Sequence, residues 1–202
     1  MGLMTHPARF AVITAIGSGM MAIYLVINRN QAGATTVVDM PGWVPFLPVL
    51  ALPYLALLGV AWLLPLAIRD GLRFRACLLA ATVGFILCAP WWILTPTEIT
   101  RPPAPPDWWA APWRWLIAVD RPTNITPCAH AVGPAVAAWF AGRDRPAWRW
   151  WLAAMLGLGL PTIAMTWQHR PVDILLGMSA AGLGVLAGEL WIRRARRQTA
   201  PG

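Results

Sequence analysis

The sequence contains no lysine: all sixteen of its basic residues are arginine. Charged residues of both signs reach only 12% and hydrophobic residues make up 58%. A soluble domain carries about a quarter charged residues, so a water-soluble fold is excluded. A net charge of +8 over 202 residues invites a nucleic-acid reading. The arginines, however, fall in short clusters between apolar runs, the pattern of topology determinants, and no nucleic-acid partner is expected. Cysteine is scarce as well. Cys77, Cys88 and Cys128 are odd in number, lack CxxC spacing and lie among apolar neighbours. That excludes a disulfide framework and leaves no zinc motif, so they read as small apolar fillers.

Long apolar runs are what the chain has in quantity, and each is long enough to cross about 30 Å of hydrocarbon as a helix. The expected fold is all-α and polytopic, a single membrane domain over 1–202 with six transmembrane helices. The spans are expected at 9–28, 43–68, 72–94, 125–141, 147–166 and 171–192. The second holds Pro45, Pro48, Pro53 and Pro65, which favour a kinked or partly re-entrant segment. The run from Phe10 to Ile27 is too long for a signal-peptide core, although Ala32-Gly33-Ala34 offers a small-x-small site; a retained first helix is expected.

With both termini cytoplasmic, eleven arginines fall inside and five outside, including the "RRARR" tail inside. This asymmetry favours that orientation. The outside loop at 95–124 is rich in proline and carries Trp108, Trp109, Trp113 and Trp115. Tryptophan suits the headgroup region, so a short interfacial helix is expected near 107–119, between spans 3 and 4. Glu98 and Arg114 of this loop are read as headgroup contacts. Short loops and all-arginine usage suggest a bacterial inner membrane, with the outside face periplasmic.

Three outside stretches concentrate the unusual polar residues: "PTEITRPP" at 96–103, "DRPTNITPCAHAVGP" at 120–134 and "TWQHRPVDILLG" at 166–177. Thr126-Pro127 reads as an N-cap with proline at the first helical position, placing His130 near a helix N-terminus that favours an anion. His130 is there a candidate general acid and base. His169 and Asp173 are four apart, on one face if the backbone is helical through this turn. A carboxylate on one imidazole nitrogen would fix the tautomer and leave the other free as a nucleophile. Arg101 supplies a planar guanidinium suited to phosphate. Asp120, Asn124 and Pro127 are read as shaping their loop. Together these groups spell phosphoryl transfer with no metal and no cofactor.

This set resembles the type 2 phosphatidic acid phosphatase superfamily, whose hallmarks are K-x6-R-P, P-S-x-H and S-R-x5-H-x3-D. The first survives as Arg101-Pro102, the second reads Pro127-Cys128-Ala129-His130, and the third runs from Thr162 through His169 to Asp173, with Gly177 four beyond. The pattern "DRPTN-x2-P-x2-H" is most similar to the branch containing inositol phosphorylceramide synthases. The resemblance covers 96 to about 190, within a core of about 70–192. It implies that His169 attacks phosphorus, Asp173 holds its ring, His130 protonates the leaving alcohol and then activates the acceptor, and Arg101 binds phosphate. Three positions depart: Leu94 stands where the family has lysine, Ile163 where it has arginine, and Cys128 where it has serine. Arg121 and Arg170 are the residues placed to compensate.

The expected function is that of an integral-membrane phosphatase acting on a lipid phosphate at the outer face by a metal-independent phosphohistidine mechanism. Membrane lipids are the only other partners expected, and the oligomeric state is left open. Transfer of a phosphorylated headgroup from lipid to an alcohol shares the first half-reaction and stands as the alternative. From another class come a haem carrier with His130 and His169 as axial ligands, and a scaffold with a decayed site.

Overall fold

Helix boundaries in this chain fall where capping residues and prolines put them. In the computed structural model, which describes residues 5–30 and 35–198, Asp70 caps one helix start by accepting from the N–H groups of Leu72 and Arg73. Pro171, which has no N–H to lose, opens another. The described residues form seven α-helices: α1 (His6–Asn30), α2 (Ala51–Leu63), α3 (Gly71–Leu94), α4 (Ala111–Val119), α5 (Ala129–Asp144), α6 (Arg149–Met165) and α7 (Pro171–Gln198). Two three-residue strands, β1 (Thr36–Val38) and β2 (Thr97–Ile99), complete the set. The Ala32-Gly33-Ala34 site lies outside the described residues.

Among the described residues four helical segments, not six, are long and apolar enough to cross a membrane: α1, Pro48–Ala67, α3 and α7. Pro48–Ala67 is α2 extended by a 3-10 turn at each end, and residues 43–47 of the expected span belong to a loop. The expected spans at 125–141 and 147–166 are the overturned ones. α5 has 16 residues, about 24 Å at 1.5 Å per residue, short of about 30 Å of hydrocarbon. α6 continues a 3-10 turn at Pro146–Trp148 and is long enough with it, but Arg149 among Trp148, Trp150 and Trp151 leaves it too weakly apolar. The missing length of the first lies in residues 125–128, whose backbone is drawn into side-chain hydrogen bonds at one end of the bundle. Leu94, Leu158, Leu175 and Trp150 project outward as exposed apolar side chains, as lipid-facing residues of a multi-spanning membrane protein do.

Three polar residues of α1 face inward: Arg9, Tyr24 and Asn28 are buried. Arg9 donates to the carbonyls of Ile68 and Arg69 and lies over the Phe74 ring. At this end Asp144 accepts from the N–H groups of Arg69 at 2.9 Å and Asp70 at 3.2 Å, and from the Arg73 guanidinium at 3.4 Å. At the opposite end β1 pairs in parallel with β2, and Glu98 bridges to Thr123. Asn28 adds a hydrogen bond to the Thr123 hydroxyl at 2.8 Å. The loops that follow α1 and α3 are thereby stitched to the segment that leads into α5.

α7 packs against α3 and α5 through small residues, which let backbones approach where no hydrophobic drive between helices exists. A Cβ at Gly184 would lie 2.2 Å from the Ala80 carbonyl oxygen, and one at Gly177 would lie 2.1 Å from that of Cys128. A short helix is present in the stretch expected at 107–119: α4, preceded by a 3-10 turn at Trp108–Ala110. Trp113 faces into the bundle, where its indole N–H donates to the Thr166 carbonyl, while Trp108 and Trp115 point outward. Arg114 ties this loop to itself through the carbonyls of Pro105 and Asp107.

Two measurements test this packing. Gly177→Ala should lower stability by about 1–3 kcal/mol, because the methyl meets backbone that cannot swing aside. Gly182→Ala on the same helix meets nothing within 4 Å and should leave the melting temperature in detergent unchanged. Burial on its own raises the Asp144 carboxyl, but the Arg69 and Asp70 N–H groups and Arg73 outweigh it, and the net shift is downward. A carboxylate lowered in the folded state stabilises above its unfolded value of about 3.9 and loses that contribution as pH falls through the folded value. The wild type should therefore lose melting temperature below about pH 4 more steeply than Asp144→Asn.

Candidate functional site

The chain reverses sharply after α6. The N–H of Gln168 bonds the Ile163 carbonyl and that of Trp167 bonds Ala164, the paired closure of a Schellman motif. Trp167 occupies the left-handed position at φ 52°, where glycine is usual. This turn sends Gln168 and His169 back into the bundle, where both are buried. His169 Nδ1 donates to the Ile125 carbonyl at 2.6 Å, which fixes its tautomer and leaves Nε2 as the lone-pair nitrogen. That nitrogen meets His130 Nδ1 at 2.9 Å, with the two ring centroids 5.1 Å apart. In the neutral pair His130 donates from Nδ1 and keeps a lone pair on Nε2, which no described residue engages. Burial first, and then the neighbouring His130, push His169 well below the ordinary histidine value, against the opposing Ile125 carbonyl. Its neutral form is therefore favoured.

Arg101 follows β2 and turns inward. It donates to the Asp120 carbonyl at 2.6 Å and to Gln168 Oε1 at 2.7 Å, and its guanidinium lies 3.7 Å from the Asp120 carboxylate. Burial pushes its pKa down while Asp120 opposes; a guanidinium remains cationic throughout the usable pH range. Arg101 Nε and Gln168 Nε2 are buried without a partner among the described residues. Such orphaned donors call for a polar group supplied from outside.

Asp173 does not hold the His169 ring. Its carboxylate accepts from Arg170 N and Nε at 2.9 and 3.0 Å on one oxygen. The other oxygen accepts from Arg170 Nη2 at 2.9 Å and from the Thr126 hydroxyl at 2.6 Å. The four-residue spacing fails because α7 begins at Pro171, so His169 precedes the helix and shares no face with Asp173. The same contacts engage Nε and Nη2 of the Arg170 guanidinium, which ties α7 to Thr126. Arg121 also falls away from the site: it is exposed, and donates to the Arg29 carbonyl. α5 starts two residues later than expected, with Cys128 as its N-cap, because the Thr126 hydroxyl is committed to Asp173. Pro127, joined to Thr126 by a cis peptide bond, presents its carbonyl to the Trp92 indole at 3.0 Å. Asn124 holds a left-handed turn at φ 61° and buries both side-chain polar atoms without a described partner.

Asp120 proves to be more than a loop residue, since it accepts from Tyr24 at 2.6 Å and serves as the counterion of Arg101. Sequence reasoning missed Tyr24, Tyr54 and Gln168. The rings of Tyr24 and Tyr54 lie 6.1 and 5.7 Å from that of His130, and the buried Tyr54 hydroxyl has no described partner. These are the only two tyrosines in a chain with fourteen tryptophans, a contrast that was legible. His130 and Tyr24 also line an apolar cavity of about 140 Å³ between α1, α2, α3 and α5.

Cys128 is the residue whose reading changes most. Its sulfur and one ring nitrogen each of His130 and His169 all lie within 4.8 Å of one another. Two imidazoles and a thiol are transition-metal donors. This overturns the expectation of a site without metal, and with it the strictly metal-independent phosphohistidine phosphatase. His169 has neither the Asp173 partner nor the free Nε2 which that mechanism needs. Among known proteins, the chain matches no family model, no curated protein and no solved structure.

The Asp173 knot gives a direct test. Asp173→Ala should cost about 3 kcal/mol, because it strands a partly buried guanidinium and a partly buried hydroxyl. Replacing Arg170 and Asp173 together by leucine should cost less than the single change. Thermal unfolding of the three proteins in detergent reads this. A single variant with undiminished stability but lost activity would instead indicate an orienting role for Asp173.

Proposed function

We propose that this protein is a membrane-embedded phosphotransferase that moves a phosphorylated headgroup between a lipid and an alcohol acceptor. The resemblance of its three motifs to the inositol phosphorylceramide synthase branch supports this reading, and so does the chemistry of the groups now found together. The observation that carries it is the setting of His130: a half-buried imidazole, with Nε2 free of described partners, lining an apolar cavity. An alcohol carried by a lipid reaches such a nitrogen from within the bilayer, whereas water has a poor path to it. Transfer is therefore favoured over hydrolysis.

In this reading Arg101, held by Asp120 and Gln168, receives the phosphate oxygens, and its unpaired Nε supplies a further donor. His130 Nε2 is the nitrogen placed to exchange a proton with the incoming and leaving hydroxyls. Apolar helices hold the tails. The arginine asymmetry supports a reading with both termini in the cytoplasm and this site at the outer, periplasmic face of a bacterial inner membrane.

The test uses liposomes holding the protein, a phospholipid with an isotopically labelled headgroup, and a lipid alcohol. The label should appear on the alcohol, as read by mass spectrometry. Arg101→Ala should slow the transfer by about 100-fold or more, the usual cost of a lost transition-state donor. Arg101→Lys should recover only part of the rate, since a point charge does not reproduce the fork. Release of free phosphate with no labelled alcohol product would overturn the proposal.

A further inference from the structure

Cys128 is fully buried beside the two imidazoles of the site, and nothing above gives its thiol a role. We propose that Cys128, His130 and His169 bind a single zinc-class divalent metal ion, leaving one coordination position open for an oxygen ligand.

Geometry is the first argument. In a tetrahedral site with bonds of about 2.0–2.3 Å, donor atoms stand about 3.3–3.8 Å apart. The two imidazole nitrogens are 2.9 Å apart, and the sulfur completes a triangle with no side above 4.8 Å. Shifts of a few tenths of an ångström at the nitrogens and about 1 Å at the sulfur are enough to close it around an ion. A porphyrin does not fit between two rings that already touch, so the fit is to a bare ion.

The second argument is the support behind the ligands. A metal-bound histidine characteristically donates its other N–H to a carboxylate or carbonyl, which orients the ring. His169 does this through Nδ1 to the Ile125 carbonyl at 2.6 Å, leaving Nε2 aimed at the cluster. The backbone of Cys128 is anchored by its own N–H, which donates to the Asp173 carbonyl at 2.9 Å. Gly177 permits that approach, because any Cβ there would strike the Cys128 carbonyl. The knot around Asp173 thus acts as scaffolding for a ligand.

The third argument is what surrounds the vacant position of such an ion. Tyr54 packs on His130 with a fully buried hydroxyl that has no partner among the described residues, and Arg101 and Gln168 each bury an N–H donor in the same condition. One thiolate and two neutral imidazoles leave a divalent ion with a net positive charge beside Arg101. An anionic oxygen, from hydroxide or from a phosphate, satisfies both the ion and these donors. The donor set of nitrogen and sulfur selects zinc-class ions over magnesium or calcium, which take oxygen ligands.

The experiment is metal analysis of full-length protein in detergent, stripped with a chelator, loaded with Zn2+ and desalted. About one zinc per chain is expected, as a three-ligand site with an open position requires. The Co2+-loaded protein should show intense tetrahedral d–d bands and a thiolate-to-cobalt charge-transfer band. Cys128→Ser should abolish the charge-transfer band, and His169→Gln should lower zinc content at least about tenfold, the lower bound for loss of a ligand given the cost of losing even its support. Cys77→Ala and Cys88→Ala, whose thiols lie outside the cluster, should retain both signals. Folded wild-type protein that retains no zinc and gives no cobalt bands overturns the site. So does a Cys128→Ser protein with an unchanged cobalt spectrum. The wild-type spectrum decides the matter even if a ligand variant fails to fold. Zinc bound without any headgroup transfer removes the transferase reading and leaves this one standing; transfer by metal-free protein that binds no zinc does the reverse.

Discussion

In a medium without water, a buried carboxylate must have its lone pairs taken by the protein itself, and Asp173 is where that constraint organises the molecule. Fully buried at the start of α7, it accepts from Arg170 three times and from Thr126 once. Its backbone carbonyl takes the N–H of Cys128. Those bonds set α7 against the start of α5, and Cys128, His130 and His169 all hang from that helix start or from the turn between α6 and α7.

The close approach of α7 to its neighbours is a second consequence of the membrane setting. Apolar side chains gain nothing by leaving lipid for one another, so the bundle relies on backbone proximity and hydrogen bonds. Gly177 and Gly184 make that proximity available, and the inward polar face of α1 supplies Tyr24 and Asn28 to the site end. Tyr24 reaches Asp120, Asp120 holds Arg101, and Arg101 reaches Gln168 beside His169. A chain of buried polar contacts therefore runs from the first helix to the paired histidines. Such a chain orders the site only if each member is satisfied. The members left unsatisfied, at Arg101, Gln168 and Tyr54, lie where a ligand is needed.

Much of this was legible in the chain itself. Apolar run length announced a polytopic helical membrane protein. The gathering of His130, His169 and Arg101 at one end was suggested by three polar stretches at alternate loops. The short helix at 111–119 followed from its tryptophans and flanking prolines. What failed was inference from spacing across a break. Four residues separate His169 from Asp173, but proline at 171 starts the helix between them, so a pair that reads as catalytic is two residues with unrelated partners.

The sequence by itself determined the medium, the helical class and the residue types that one end of the bundle collects, because hydrophobic run length and charge distribution are local properties of the chain. Only the tertiary structure decided which of those residues touch. Cys128 read as an apolar filler because forty residues separate it from His169, and no one-dimensional pattern expresses a contact of that range. The turn at Trp167 and the anchoring of Cys128 to α7 bring that thiol and two imidazoles within 4.8 Å of one another. The physical reason is that a metal-binding geometry is a relation among side-chain atoms in space, and here those atoms come from two separate helix ends.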